Sequence, residues 1–158
     1  MLAELVHLFQ RDLTQLAGEL EQYPDEASLW RVAPGIVNPA GNLALHLAGN
    51  LRAMIGERLG GVPYVRDRDA EFARRDVPRA ELLEEVRAAA SAVEAVLSGL
   101  DEAALGRPSP VTLPHFPAGA TTGYLLTSLY GHLNWHLGQI NYHRRLLSLH
   151  GEERDRPI

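Results

Sequence analysis

The chain has 158 residues, 46% of them hydrophobic and 22% charged, a balance that suits one soluble globular domain over 1–158 and argues against disorder. Its formal net charge is −5, with bases scattered among acids as in RDRDAEFARRD (66–76), so no stripe is available to neutralise phosphates and nucleic acid is not an expected partner. Cysteine is absent, which excludes disulfides, thiolate ligands and a cysteine nucleophile and leaves His, Asp and Glu for any metal chemistry.

The first segment sets Leu2, Leu5, Phe9, Leu13, Leu16 and Leu20 at spacings of three and four, one apolar face of a helix that ends near Tyr23-Pro24. Glu4 and Arg11 interrupt it, so neither a signal peptide nor a membrane span is expected, and a cytoplasmic protein is the default. PDEASLWRVAPGIVNPAG follows, too rich in proline and glycine for a long helix, with room for a short turn at Ala27 to Trp30. A second helix is expected from an Asn42 N-cap to Leu59, stopped by Gly60-Gly61, with Leu45, Ala48, Leu51 or Arg52, Ile55 and Leu59 on its apolar face. A long connection then carries one helical turn at Ala70 to Arg74.

Pro78, early acids and the face Leu82, Val86, Ala89, Val93 and Val96 or Leu97 predict a third helix ending near Gly99. GRPSPVTLPHFPAGA is a further irregular stretch, with an extended piece expected at Val111 to Leu113. The fourth helix starts at a Thr121 or Thr122 cap and runs to Leu149, with Gly151 as its stop; Gly131 and Gly138 inside it imply close packing or space near a ligand. Four helices without a sheet predict an all-α four-helix bundle.

Three of the seven histidines lie in YGHLNWHLGQINYH (130–143). At about 100° per residue His132 and His136 are about 40° apart and one turn up, with His143, Gln139 and Ser128 on the same stripe. Flanking leucines turn the stripe toward the bundle interior. Two imidazoles four residues apart on a helix can converge on one ion at about 2.1 Å; the same spacing also occurs as a hydrogen-bonded core feature. On the second helix, His46 stands between Asn42 and Asn50 on a polar line that is costly to bury without partners. A metal held by His46, His132 and His136 would engage that line, with Asn50 or Gln139 orienting a ring through its second nitrogen; a histidine simply bonded to Asn50 is the alternative.

NPAGNLALHLAGNLR, RDRDAEF and GHLNWHLGQINYHRRLL, in this order and spacing, resemble the DinB/YfiT-like superfamily, whose members are regarded as metalloenzymes, and particularly its branch of small DinB-like proteins. The resemblance spans about Trp30 to Leu147. It implies a four-helix bundle of up-down-down-up connectivity with long connections. It also implies a three-histidine metal site, with His46 matching the ligand from the second helix and His132 and His136 the pair from the last. Characterised members resemble transferases and isomerases that use low-molecular-weight thiols such as bacillithiol or mycothiol; others are regarded as hydrolases.

His143, about 10 Å beyond His136 along the axis, is too far to share an ion though able to sit in the same groove, and a packed or surface-capping role near the helix end is expected. His7 and His150 are expected in solvent, and His115 is either a lid or an ordinary loop residue. Zinc suits three nitrogens by geometry, with nickel, iron or manganese plus waters as alternatives. No carboxylate shares the histidine stripes, Glu57 being the nearest along its helix, so the metal is expected to do most of the activation. Arg52, Arg66 and Arg68 are either carboxylate binders for a thiol or solvated ion pairs, and Trp30, Tyr130 and Trp135 are read as core or interface aromatics.

The functional expectation is a metal-dependent thiol S-transferase or hydrolase acting on a small molecule, without nucleic acid or membrane as partner. The competing expectation is a non-catalytic, stress-related binding or scaffold bundle that forms a homodimer. DNA binding, which the family name suggests, fails on charge.

Overall fold

The leucine stripe of the first segment folds as α1 (Leu2–Glu21), and its six apolar residues are all buried, each contributing about 1.5–3 kcal/mol of transfer free energy. The computed structural model describes the backbone of residues 1–154 and the side chains through Ser148. Helices α2 (Ala40–Leu51), α3 (Arg68–Ala73), α4 (Arg79–Ser98) and α5 (Thr122–Arg154) follow, with short 3-10 turns at Ala27–Trp30 and Glu102–Gly106. The fold is all-helical among the described residues.

Helix α2 differs from the amphipathic expectation, since every residue from Ala40 to Gly49 is buried. The reason is its surroundings: α3, α4, α5 and the first 3-10 turn all pack on it. Asn42 is therefore no N-cap but sits inside the first turn, where its Nδ2 donates to the carbonyls of Glu71 and Arg74 at 2.8 and 2.9 Å. At Gly41 a Cβ would meet the Trp30 ring at 2.6 Å, so glycine there lets the indole lie on the helix.

Beyond Leu51 the helix widens into a π turn, Arg52–Leu59, closed by Gly60 N–H donating to Ile55 C=O at 3.0 Å. The extra residue per turn is the physical cause of the ambiguity between Leu51 and Arg52. Gly61, at φ 69°, ends the run. The predicted face of α4 is buried as expected, Val96 and Leu97 both included. Thr121 caps α5 through its Oγ1, which accepts from Tyr124 N–H at 3.2 Å.

Two expectations fail on the later chain, and one half of a third. Helix α5 continues through Gly151 to Arg154, because one glycine among good helix formers costs only about 1 kcal/mol. No strand forms at Val111 to Leu113; the one bridge of this loop pairs Pro108 with Thr121, where the chain leaves and rejoins helix. A methyl at Gly131 or Gly138 would meet no atom within 4 Å, so close packing accounts for neither glycine.

Polar side chains set the register of α1 against α5. Arg11 donates to Tyr130 Oη (2.9 Å), Asn134 Nδ2 to Asp12 (2.9 Å), and Asn141 and Arg144 to Glu19 (2.8 and 2.7 Å), contacts that ascend along both helices together. Burial would raise the Asp12 carboxyl, but hydrogen bonds from Arg11, Tyr130 and Asn134 hold it below the ordinary range. From α1 to α4 the order descends: Gln10 reaches Ala90, and Arg79 reaches Tyr23. Contacts between the α2 segment and α4 ascend, from Arg52 with Glu85 to Gly60 against Val96. These registers turn the inner face of α5 toward α2.

Candidate metal centre

Three imidazoles meet where α2 faces α5. His46 is buried, and His132 and His136 on α5 are half-buried. Their ring centroids lie 5.1 Å (46 to 132), 5.3 Å (46 to 136) and 4.5 Å (132 to 136) apart, with each pair of planes within a few degrees of perpendicular. One nitrogen from each ring falls within 4.8 Å of the others, a group able to hold a metal ion. The spacing of four on α5 brings its pair together, and α2 supplies the third ring from across the bundle.

The outer nitrogens decide which lone pairs face inward. His46 Nδ1 lies 2.9 Å from Glu71 Oε2, and since a carboxylate only accepts, Nδ1–H is the donor and Nε2 keeps its lone pair. His136 Nδ1 likewise donates to Gln139 Oε1 at 2.7 Å, which frees its Nε2. His46 Nε2 lies 2.9 Å from His132 Nε2, so without a cation His132 must supply the shared proton. Such a donor set fits a divalent cation: two unprotonated nitrogens and a third that a proton now bridges.

Glu71 comes from α3, the short helix in the long connection, capped by Asp67, whose Oδ1 accepts from Ala70 N–H at 2.9 Å. Its carboxylate is buried and receives Arg66 on both oxygens, Nε to Oε1 at 2.7 Å and Nη2 to Oε2 at 2.8 Å. Burial alone would raise the Glu71 carboxyl, yet the bonds from His46 and Arg66 hold it below its ordinary value of 4.5. Gly49 makes the approach possible, because a Cβ there would stand 2.1 Å from Glu71 Oε1. Phe72, next along α3, covers His46 with ring centroids 4.8 Å apart.

Burial, and then the neighbouring His136, His46 and Arg66, depress the His132 pKa from 6.5 to about 4; burial depresses His136 as well. Both rings are neutral at neutral pH, the form that binds metal.

The expected carboxylate gap on the histidine stripes is thus filled from elsewhere in the chain. Arg66 is not a solvated charge but the half-buried partner of Glu71, with 16% of its side chain exposed. Asn50 orients no ring; His46 Nδ1 is engaged by Glu71 instead, and Asn50 Oδ1 is buried without a partner among the described residues. Gln139 does meet a ring, its Oε1 accepting from His136 Nδ1. His143 is packed, its Nε2–H donating to Arg31 C=O (2.8 Å) and its Nδ1 accepting from Tyr23 Oη (2.7 Å), while burial keeps it neutral.

Arg52 pairs with Glu85 (2.7 Å) and lies over the Tyr64 ring, and Arg68 lies over Phe72 with no ion pair among the described residues. His7 and His115 are exposed, His115 against Phe116, and the side chain of His150 falls outside the described residues. Trp30 is buried, Tyr130 packs edge-on against Phe9, and Trp135 is 69% exposed.

Two predictions follow from this geometry. Gly49→Ala pushes Glu71 off His46 while favouring the helix itself, so divalent-metal affinity, read by competition with a chromophoric chelator, drops about 10–100-fold with the fold retained. For the metal-free protein, the unfolded His132 imidazole titrates near 6.5 and the folded one at about 4, so the unfolded chain binds more protons between those values. Stability falls as pH drops through that window, and Glu71 adds to the loss below 4.5. Denaturant titrations at stepped pH are expected to record a flatter profile for His132→Asn than for the wild-type chain.

Among comparisons with known proteins, the family model described as the DinB superfamily matches residues 7–140, a span that contains all three histidines and Glu71. Searches of curated proteins and of solved structures returned no significant match. Among the described residues no helix is long and apolar enough to cross a membrane. With more than half of its length matched, the chain belongs to the DinB superfamily.

Proposed function

We propose that this protein is a metal-dependent enzyme in which His46, His132 and His136 hold a divalent cation beside a small-molecule substrate, the reaction being thiol S-transfer or hydrolysis. The observation that carries the reading is three imidazoles from two helices with ligand nitrogens within 4.8 Å. Membership of a superfamily that includes metal-binding proteins supports it.

When bound, such a cation supplies Lewis acidity, which brings the pKa of a coordinated water or thiol toward neutrality. The chain's own part is to orient and to insulate. Glu71 fixes the His46 tautomer, Gln139 fixes that of His136, and Arg66 balances the buried Glu71 charge. With both oxygens occupied, Glu71 is a positioning residue and no free general base. Neutral ligands leave the cation its full charge and open coordination positions. Zinc suits the donor set, with nickel, iron or manganese as alternatives, and a low-molecular-weight thiol is the proposed co-substrate. The reading includes a single domain in the cytoplasm whose long helices run up-down-down-up, a course that the ascending and descending contact registers support.

Elemental analysis of untagged protein tests the ligand set. The expected result is about one divalent ion per chain in the wild type and loss of nearly all of it in His46→Ala. Full retention by the variant would refute the assignment.

A second observation favours self-association, with or without catalysis. Helix α5 exposes Tyr124 (40%), Trp135 (69%) and Tyr142 (74%) along its outer side. We propose a homodimer through this face. Sedimentation is expected to find a dimer in the wild-type protein and a monomer in Trp135→Glu; a variant of unchanged mass would rule this face out.

A further inference from the structure

A cavity of about 270 Å³ opens beside His136, between the turn at residues 35–38 and α5. Its walls include Ile36, Val37, Leu43 and Tyr142 together with Gln139 and His136. The turn is held by Ile36 N–H donating to Ala33 C=O at 2.9 Å, with Gly35 at φ 80°. No Lys, Arg, Asp or Glu lines it. His143, which does, has both ring nitrogens committed to Tyr23 and Arg31.

The polar capacity left to the cavity is uncharged. Gln139 gives its oxygen to His136, and its Nε2 has no partner among the described residues; neither has the amide of Asn38. The charges nearest the histidines, Arg66 and Glu71, stand on the far side of His46 and are paired with each other. A charged group seated among these walls, away from the ion, would lose water without meeting a counter-ion on the side chains that line them. An apolar group would gain wherever it covers Ile36, Val37 and Leu43.

We propose that this cavity is the specificity pocket of the site and takes an uncharged, mainly apolar group of aryl or short alkyl size. Its volume equals roughly nine waters' share of the liquid, which accommodates a single ring or a short chain. The inference rests on the metal-site reading for the position of the substrate's reacting end, which lies toward His136. It goes beyond that reading in naming what the rest of the substrate is. Asn38 and Gln139 discriminate by hydrogen bonding to a neutral polar atom on that group.

Cobalt-loaded protein gives a readout independent of turnover. The visible bands of the bound Co²⁺ are followed during titration with 2-phenylethanethiol, which is uncharged, and with 3-mercaptopropionate, which is anionic. Binding of the phenyl thiol about tenfold tighter is expected, as is loss of most of that preference in Val37→Asp at matched cobalt occupancy. Val37 is 86% exposed, so the substitution leaves the fold intact. Equal affinities, a preference for the anion, or an unchanged preference in the variant would overturn the proposal.

Failure to take up cobalt would sink the metal-site reading instead. The pocket would then be tested on the metal-free protein with 2-phenylethanol, by amide chemical shifts. Changes centred on Ile36, Val37, Gln139 and Tyr142 uphold the pocket, and their absence refutes it.

Discussion

The hydrogen bond from His46 Nδ1 to the buried Glu71 carboxylate is the contact around which the candidate site is organised. A carboxylate this far from water is costly unless its charge and lone pairs are met, and here Arg66 and His46 meet them. The same contact decides a tautomer, and with it which nitrogen of His46 faces the pair on α5. Removing the side chain at Gly49 is what lets the carboxylate come so close to α2. Asn42 completes the join by holding two backbone carbonyls at the end of α3. A six-residue helix with little core of its own is thus fastened to the bundle at this edge by these polar groups, with Phe72 laid over the His46 ring.

The opposite wall is set by α1. Its buried Asp12 and Glu19 grip Asn134, Asn141 and Arg144, fixing the rotation of α5 about its own axis. On a helix, a rotation of one residue moves a side chain through about 100°, enough to turn His132 and His136 away from His46. Two sets of buried carboxylates, one on each side of α5, therefore serve a single geometric end. Neither set touches the inward nitrogens.

Much of this was legible in the chain, and the parts that were not share a cause. The histidine stripe on α5 follows from spacing along one helix, and His46 stood out as polar in an apolar run. The four long helices follow from leucine and valine periodicity. Glu71 is not legible in the sequence, because it lies on neither helix that carries the histidines and arrives from a connection whose period is too short to read. The signals were present: Asp67 placed to cap at Ala70, and a glycine at position 49 in the most tightly enclosed helix. Asn50 misled because a residue one turn from His46 is near it along the helix axis without facing the same ring nitrogen. The π turn was equally hidden, since its only trace in sequence is a hydrophobic period that slips by one residue at Leu51 and Arg52.

The distribution of charge around the three rings has a chemical consequence. Behind them, Arg66 and Glu71 form a closed pair whose net charge is zero and whose hydrogen bonds are spent on orienting His46. In front, toward residues 35–38, the lining carries no charge at all. A cation held by three neutral imidazoles would then keep its charge uncompensated by its ligands, and its field would fall on whatever occupies the open side. A carboxylate ligand in place of any histidine would cancel part of that field, and a lysine or arginine in the front wall would compete for the same anion. With neutral ligands, paired charges behind and an uncharged approach, the electrostatic drive of such an ion would be concentrated on the atom that meets it.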